Sequence, residues 1–340
     1  MRPTDAGACA QSWRNIMVPE VHPESFSAPL GARTDCKLVV VGGCPRSGTT
    51  WLQLLLAQHP DVATCNETYL FVYIDNLHQR WEQEHRSSQV RSVGLSHVLS
   101  GHEFYELCRN FAVSVVTKIQ ERRPGAQVVM EKDPGNILRG ELILRLFPDA
   151  YFLHVVRDPR SVVSSLLAAW SGWGKSWAPR SVVTAARRWQ EAIEAGDRLA
   201  KSTDRYRVVR YESLLSNGPD ELAKILSWLE LTQSADFPAR AIEVCQIDRL
   251  RTASAETFAP WALEKEPEAF FRRGEAESWR RELTPSQVRI IEYLLGDLMV
   301  GLDYPRETGT RLRKPVAVRA REVYDATEWR FRQWLDALST

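Results

Sequence analysis

The sequence lacks a charge excess and long apolar runs. Lys and Arg number 44 against 43 Asp and Glu, which leaves a formal net charge of +1. Nucleic-acid binders and general membrane-surface binders usually carry a strong basic excess, so neither is expected. A small anionic ligand needs only a local basic pocket. No stretch approaches the roughly 20 apolar residues of a membrane span, and residues 1–35 contain no apolar core of the kind found in a signal peptide.

Cysteine is sparse and unpatterned. The chain has six cysteines, none of them in a C-x-x-C pair or beside a histidine at metal-ligand spacing. Scattered thiols of this kind are typical of a reduced, cytoplasmic protein without a disulfide framework. We therefore expect a cytoplasmic protein with no metal site.

Short β-branched runs alternate with helical segments along most of the chain. Residues 38–41 form a buried strand pattern that ends at two glycines, and a helix is predicted at residues 49–58, before His59-Pro60. Further strands are predicted at residues 127–130, 151–156 and 206–210, and further helices at residues 141–146, 160–169, 181–200, 220–229 and 285–299. Strands that alternate with helices favour an α/β fold with a mainly parallel sheet flanked by helices.

No linker splits this pattern into two domains. We expect an irregular lead-in at residues 1–35, one P-loop-type α/β domain at residues 36–305, and an extension at residues 306–340. The extension carries an amphipathic helix pattern at residues 322–338. Nothing in the sequence indicates an oligomeric state.

The turn after the first strand has the spacing of a phosphate-binding loop. Gly43 and Gly48 are separated by four residues. Nucleotide triphosphatases place a lysine after the second glycine, but Thr49 and Thr50 follow here, which argues against ATP or GTP hydrolysis. Loop N–H groups and the helix N-terminus still favour an anion, and Arg46 adds positive charge. The alternative is a tight turn without a ligand.

The segment from Pro45 to Trp51 resembles the 5′-phosphosulfate loop of sulfotransferases that use 3′-phosphoadenosine 5′-phosphosulfate (PAPS). The resemblance implies that PAPS is the sulfuryl donor. It assigns the donor's 5′ end to Pro45, Arg46, Ser47, Gly48, Thr49 and Thr50. Trp51 would stack on adenine, with a core tryptophan of the first helix as the alternative.

Two further segments are similar to the same family. Arg157 at a strand end, with Ser165 on the next helix, resembles the 3′-phosphate segment, and a guanidinium suits a phosphate chemically. Arg272-Arg273-Gly274, followed by Trp279, resembles the segment that closes over the nucleotide. Tyr211 fits a position near adenine. The alternatives are a surface ion pair for Arg157 and a solvated basic turn for residues 272–274.

The resemblance also suggests the catalytic groups. No histidine stands where phenol-type members carry their base, whereas the branch that includes tyrosylprotein sulfotransferases uses a glutamate after the first helix and a Lys-Asp-Pro segment. Glu67 and Lys132 match these positions, and Asp133 is a second candidate base. Arg46 and Lys132 would then neutralise charge on the leaving group. No metal is implied.

The acceptor is the least specified part of the prediction. Trp170, Trp173 and Trp177 could form a wall for a sugar, an aromatic group or a lipid, or a packed hydrophobic corner. Residues 68–125 are an insertion that could shape the acceptor site. We expect a small-molecule, glycolipid or glycan acceptor. The alternative functions are a non-catalytic PAPS-binding protein and a P-loop kinase or nucleotide triphosphatase.

Overall fold

Five parallel strands form the centre of the fold. The computed structural model describes residues 36–87, 94–252, 270–272, 274–309, 315–316 and 318–319, all of which belong to one compact unit, residues 34–340. The strands are β1 (Lys37–Gly43), β2 (Val62–Thr64), β3 (Val128–Lys132), β4 (Tyr151–Val156) and β5 (Tyr206–Arg210). Their order is β2-β3-β1-β4-β5, and every pairing is parallel. The predicted parallel α/β sheet is confirmed.

Helices flank the sheet. In the described residues they are α1 (Thr49–Ala57), α2 (Leu70–Ser87), α3 (Gly101–Gln120), α4 (Gly140–Leu146), α5 (Pro159–Ser171), α6 (Val182–Ala200), α7 (Tyr211–Ser216), α8 (Gly218–Trp228), α9 (Phe237–Val244), α10 (Ile247–Thr252), α11 (Trp279–Glu282) and α12 (Pro285–Gly301). Short 3₁₀ helices cover Leu95–His97 and Pro134–Arg139. No helix of the described chain is long and apolar enough to cross a membrane. The predicted lead-in, Arg273 and the helix at 322–338 lie outside the described residues.

Apolar burial on both faces explains why β1 forms the middle of the sheet. Val39, Val40 and Val41 are at most 1% exposed, and α1 packs Leu52 and Leu55 against the same core. Because parallel strands end at one edge, the fold brings together the loop after β1, Lys132 at the end of β3, and the residues that follow β4 and β5. This edge holds the residues discussed below.

His154 is a buried histidine within β4. It is 2% exposed, its Nδ1 lies 2.7 Å from the Tyr206 hydroxyl, and its Nε2 has no hydrogen-bond partner in the described part of the chain. Burial lowers the pKa of His154 to about 3. The folded protein therefore keeps this imidazole neutral, while the unfolded chain takes up a proton near pH 6.5.

The depressed pKa of His154 predicts an acid-dependent loss of stability. Stability from this group is complete above pH 6.5 and is lost as the pH falls towards 3, at about 1.4 kcal/mol per pH unit. When the free energy of unfolding is measured in urea between pH 3 and pH 6.5, its slope against pH should be smaller in His154→Asn than in wild type. The difference should correspond to one proton. His102→Asn, at an exposed position on α3, is the control and should keep the wild-type slope. Equal slopes for wild type and His154→Asn would contradict the prediction.

Candidate active site

A cavity of about 940 Å³ opens at the carboxyl edge of the sheet. Its polar lining includes Arg46, Glu67, Lys132, Arg157, Ser165 and Arg272. Of the site residues predicted from the sequence, all line this cavity except Ser47, which is buried, and Arg273, which lies outside the described residues. The fold therefore gathers residues that are far apart in the sequence around one cavity.

The loop after β1 has the backbone geometry of a tight anion-binding turn. Arg46 and Gly48 adopt left-handed φ values of 77° and 105°, and the Ser47 N–H donates to the Cys44 carbonyl at 3.0 Å. Within the described residues no side chain caps the N-terminus of α1, so its first N–H groups have no side-chain acceptor, and Gly48, Thr49 and Thr50 line the cavity. An anion in the loop would meet these N–H groups and the positive end of the helix dipole.

Glu67, Lys132 and Thr50 meet at one point of the cavity. The Lys132 ammonium donates to Glu67 Oε1 at 2.6 Å and to the Thr50 hydroxyl at 3.2 Å. The lysine side chain is 4% exposed, whereas that of Glu67 is 32% exposed. A buried cation is thus held between Thr50 at the start of α1 and a partly exposed carboxylate that lines the cavity.

Asp133, the second candidate base, has a structural role in addition to its place at the cavity. It is 6% exposed, and Oδ1 accepts the Gly135 N–H at 2.7 Å, which caps the following 3₁₀ helix. Burial raises the pKa of Asp133, and so does the neighbouring Glu67 carboxylate. The Gly135 hydrogen bond and Lys132 oppose this shift. One carboxylate oxygen of Asp133 is therefore already engaged in fixing the backbone.

Arg46 contacts α5 and the segment at residues 270–272. It was predicted to act together with Lys132, and in the structure its Nε donates to the Ser165 hydroxyl at 3.1 Å and its Nη2 to the Phe270 carbonyl at 2.5 Å. The guanidinium also lies over the rings of Phe270 and Trp173, at 4.6 and 5.4 Å from their centroids. The catalytic role of Arg46 stays a prediction.

Arg157 follows β4 and is only partly satisfied. Its guanidinium lies 4.1 Å from the Tyr211 ring centroid and donates to the carbonyls of Arg46 and Glu275 at 3.3 and 3.0 Å. Its Nε is buried, with no hydrogen-bond partner in the described residues. An unpaired N–H on a partly buried cation is a favourable position for a phosphate oxygen.

The other residues predicted to bind the nucleotide make more contacts within the protein. Arg272 pairs with Glu282 at 2.7 Å. Trp51 is 5% exposed, donates to the Cys245 carbonyl at 2.9 Å and packs edge-on against Tyr211. This geometry favours the core interpretation of Trp51, and its stacking on adenine stays a prediction.

Aromatic side chains form another wall of the cavity. Trp173 lies 5.4 Å from Phe270 and 5.3 Å from Trp177, measured between ring centroids. Trp170 instead faces Arg180 and does not line the cavity. Tyr69 and Leu138 line the cavity with about half of each side chain exposed, at 51%. These groups provide apolar contact surface in the cavity.

One buried group beside the site was not predicted from the sequence. Glu131 precedes Lys132 and accepts hydrogen bonds from Thr68 and Asn136. The signal was present, since a Glu-Lys-Asp-Pro run at the end of a buried strand places unusual charge there.

Among the described residues, no set of three or more His, Cys, Asp or Glu side chains could hold a metal ion.

Comparison with known proteins identifies relatives of this chain. A model of the sulfotransferase family matches residues 39–235, more than half of the chain. A protein-tyrosine sulfotransferase of Drosophila melanogaster is 30% identical over 200 residues, which cover 57% of this chain and 38% of that protein. Nodulation protein NoeE of Sinorhizobium fredii is 22% identical over 311 residues, which cover 86% of this chain and 72% of NoeE. The chain thus spans well under half of the Drosophila relative.

Solved structures share the fold. A mouse sulfotransferase complexed with PAP superimposes with a TM-score of 0.52 at 14% identity, over 79% of this chain and 86% of that one. The sulfotransferase domain of an olefin synthase from Synechococcus PCC 7002 gives 0.51 at 17% identity, over 80% of this chain and 97% of that domain.

Proposed function

Since this chain belongs to the sulfotransferase family, we propose that it transfers the sulfuryl group of PAPS to an acceptor hydroxyl by in-line displacement. The observation that carries this proposal is the contact of Lys132 with both Glu67 and Thr50. It places a carboxylate and a cation beside the loop suited to the donor's 5′-phosphosulfate. Such a pair can remove a proton from an acceptor and stabilise a leaving oxygen.

The residues fit the donor chemically. The loop from Pro45 to Thr50 offers N–H groups for the 5′ end, and Arg157, with its unpaired buried Nε, offers a donor for a second phosphate. Ser165, Arg272, Arg273 and Gly274 are the further proposed contacts to the 3′ side, Tyr211 and Trp51 those to the adenine side. This second anion subsite favours PAPS over nucleotides that carry no 3′-phosphate.

In the proposed reaction, Glu67 accepts the proton of the acceptor hydroxyl as its oxygen bonds to sulfur. The bond between sulfur and the bridging phosphate oxygen breaks at the same time, and Lys132 neutralises the charge that develops on that oxygen. Arg46 is the second proposed cation. No protein nucleophile takes part, so the products are 3′-phosphoadenosine 5′-phosphate (PAP), the sulfated acceptor and one proton, which Glu67 releases to solvent.

The acceptor belongs to the finer part of the proposal. Trp173, Trp177 and Leu138 give the cavity apolar surface, while Glu67 and Asp133 lie among the polar lining. A hydroxyl carried on a body with an apolar face suits this mixture. We propose a small-molecule, glycolipid or glycan acceptor.

Transfer of ³⁵S from labelled PAPS to a panel of hydroxylated acceptors tests the proposed function. The panel contains phenols, glycans, glycolipids and tyrosine peptides, and products are identified by mass spectrometry. We expect a labelled acceptor and one PAP per product. Tight PAP binding without any labelled product would indicate a non-catalytic binder, and phosphate transfer from ATP would indicate a kinase. Either result contradicts the proposal.

Gly48 provides a test of the loop itself. Its φ of 105° is a left-handed value that favours glycine, and a Cβ here would lie 2.6 Å from Tyr211 Cδ2. Gly48→Ala should therefore distort the loop and weaken PAP binding by about tenfold or more. Gly301→Ala, where a Cβ meets nothing within 4 Å, is the matched control. Isothermal titration with PAP measures both, and equal affinities would show that the loop does not bind the nucleotide.

A further inference from the structure

Glu131 is a buried carboxylate that bridges two elements of the site. It lies in β3 directly before Lys132 and is 2% exposed. Oε1 accepts the Thr68 hydroxyl at 2.8 Å, and Oε2 accepts the side-chain amide of Asn136. Thr68 follows Glu67, whereas Asn136 belongs to the 3₁₀ helix after Lys132 and Asp133. The two oxygens thus join the segments that carry the proposed base and the proposed cation.

The segment around Glu67 is held at two points. On one side, Gln53 of α1 donates to the Cys65 carbonyl at 2.7 Å. On the other, Thr68 donates to Glu131 and accepts the Leu70 N–H at 3.1 Å, at the start of α2. Glu67 lies between these points. Losing the Thr68 contact would free one end of the segment while the Gln53 contact holds the other.

The negative charge of Glu131 is stabilised by two hydrogen bonds and by the neighbouring Lys132. Burial raises the pKa of Glu131 to about 7, while the hydrogen bonds of Thr68 and Asn136, and Lys132 beside it, oppose the shift. Asp133 raises the pKa further. From the facing loop, burial keeps the Cys65 thiol neutral, with its pKa raised to about 11. A buried carboxylate of this kind costs stability, and such groups cluster at functional sites.

We propose that Glu131 is a positioning residue that fixes Glu67 against Lys132 by holding Thr68 and Asn136 at once. The inference rests on the proposed function, in which Glu67 is the base. Asn136 donates from its amide, and the Thr68 hydroxyl, whose oxygen already accepts the Leu70 N–H, donates as well, so the observed arrangement uses both oxygens of Glu131 as acceptors. Protonation of Glu131 would place a hydrogen on one oxygen, so one of the two contacts would have to break or reverse its direction. Turnover should therefore fall as Glu131 protonates with decreasing pH.

Four variants test this role in steady-state sulfuryl transfer. Glu131→Gln and Thr68→Val should each lower kcat by about tenfold, since small displacements of a catalytic group are costly. Thr68→Ser keeps the hydroxyl and should restore kcat to within about twofold of wild type. In the double variant Glu131→Gln/Thr68→Val, kcat should fall by no more than about tenfold, because both changes remove the same contact between Glu131 and Thr68. Glu141→Gln, on the surface of α4, is the control for charge and should behave as wild type.

Two readouts separate positioning from a general loss of structure. PAP affinity should stay within about twofold in every variant. In a plot of log kcat against pH, the slope of the acid limb should be smaller by one proton in Glu131→Gln than in wild type. An unchanged kcat and acid limb in Glu131→Gln, or fully multiplicative losses in the double variant, would overturn the inference.

Hydrogen exchange of the amides at residues 65–70 gives an answer that does not depend on turnover. Exchange should be about tenfold faster in Glu131→Gln and Thr68→Val than in wild type, Thr68→Ser and Glu141→Gln. Equal exchange in all of them would overturn the role of Glu131. A wild-type protein that forms no sulfated product, but shows this exchange pattern, would contradict the proposed function and leave the positioning role intact.

Discussion

Replacing Glu67 with glutamine should lower turnover by about 10²-fold or more while PAP affinity stays within about twofold. Glutamine has nearly the same size, and its carbonyl oxygen can still accept from Lys132, which lies 2.6 Å from Oε1 in the wild type. It cannot take up a proton from the acceptor. Steady-state transfer of ³⁵S from PAPS, together with calorimetric titration of PAP, measures both quantities on the same preparation.

Asp133→Asn is the matched comparison for Glu67→Gln. Asparagine can keep the oxygen that accepts the Gly135 N–H at 2.7 Å, so the 3₁₀ helix should remain capped. We expect turnover within about threefold of wild type, because the removed charge is not the proposed base. A larger loss in Asp133→Asn than in Glu67→Gln would assign the base to Asp133 instead.

Lys132→Met should lower turnover by about 10²–10³-fold, the usual effect of removing one group that stabilises a leaving oxygen. Methionine fills the buried volume of the lysine chain but carries no charge. It also leaves Glu67 without the cation that contacts it in the wild type. The rate of PAP formation at saturating acceptor measures the loss.

Lys224→Met is the control for Lys132→Met. Lys224 is an exposed residue of α8 that pairs with Glu221, and its removal should not alter turnover. A Lys132→Met protein that retained wild-type kcat and lost only PAP affinity would show that Lys132 binds the donor without taking part in the reaction.

The fold was predictable because its main signals are local. The apolar β-branched run of β1 ends in a glycine loop, and the later strands alternate with helices, so the parallel sheet could be read from the sequence. β2 was missed because Val62–Thr64 spans only three residues, too few to show a period. The insertion between residues 68 and 125 was left without assigned elements, and the structure places α2 and α3 there.

The site was predictable as a set of residues but not as a set of contacts. Parallel strands end at one edge, which explains why Lys132 and Arg157 meet the loop after β1. The contact of Arg46 with Ser165 depends on side-chain packing against Phe270 and Trp173, which no sequence pattern contains. Glu131 was passed over because its function depends on partners, Thr68 and Asn136, that are recognisable only in three dimensions.

Single-turnover transfer with the enzyme in excess over ³⁵S-labelled PAPS tests the central proposal most directly. The wild-type protein should move the label from PAPS to the acceptor oxygen at the rate at which PAP appears, with no label on the protein at any time. Glu67→Gln should show the same PAPS binding and a transfer slower by about 10²-fold. Label that stays on PAPS with every acceptor, or that passes through the protein, would contradict direct transfer at this site.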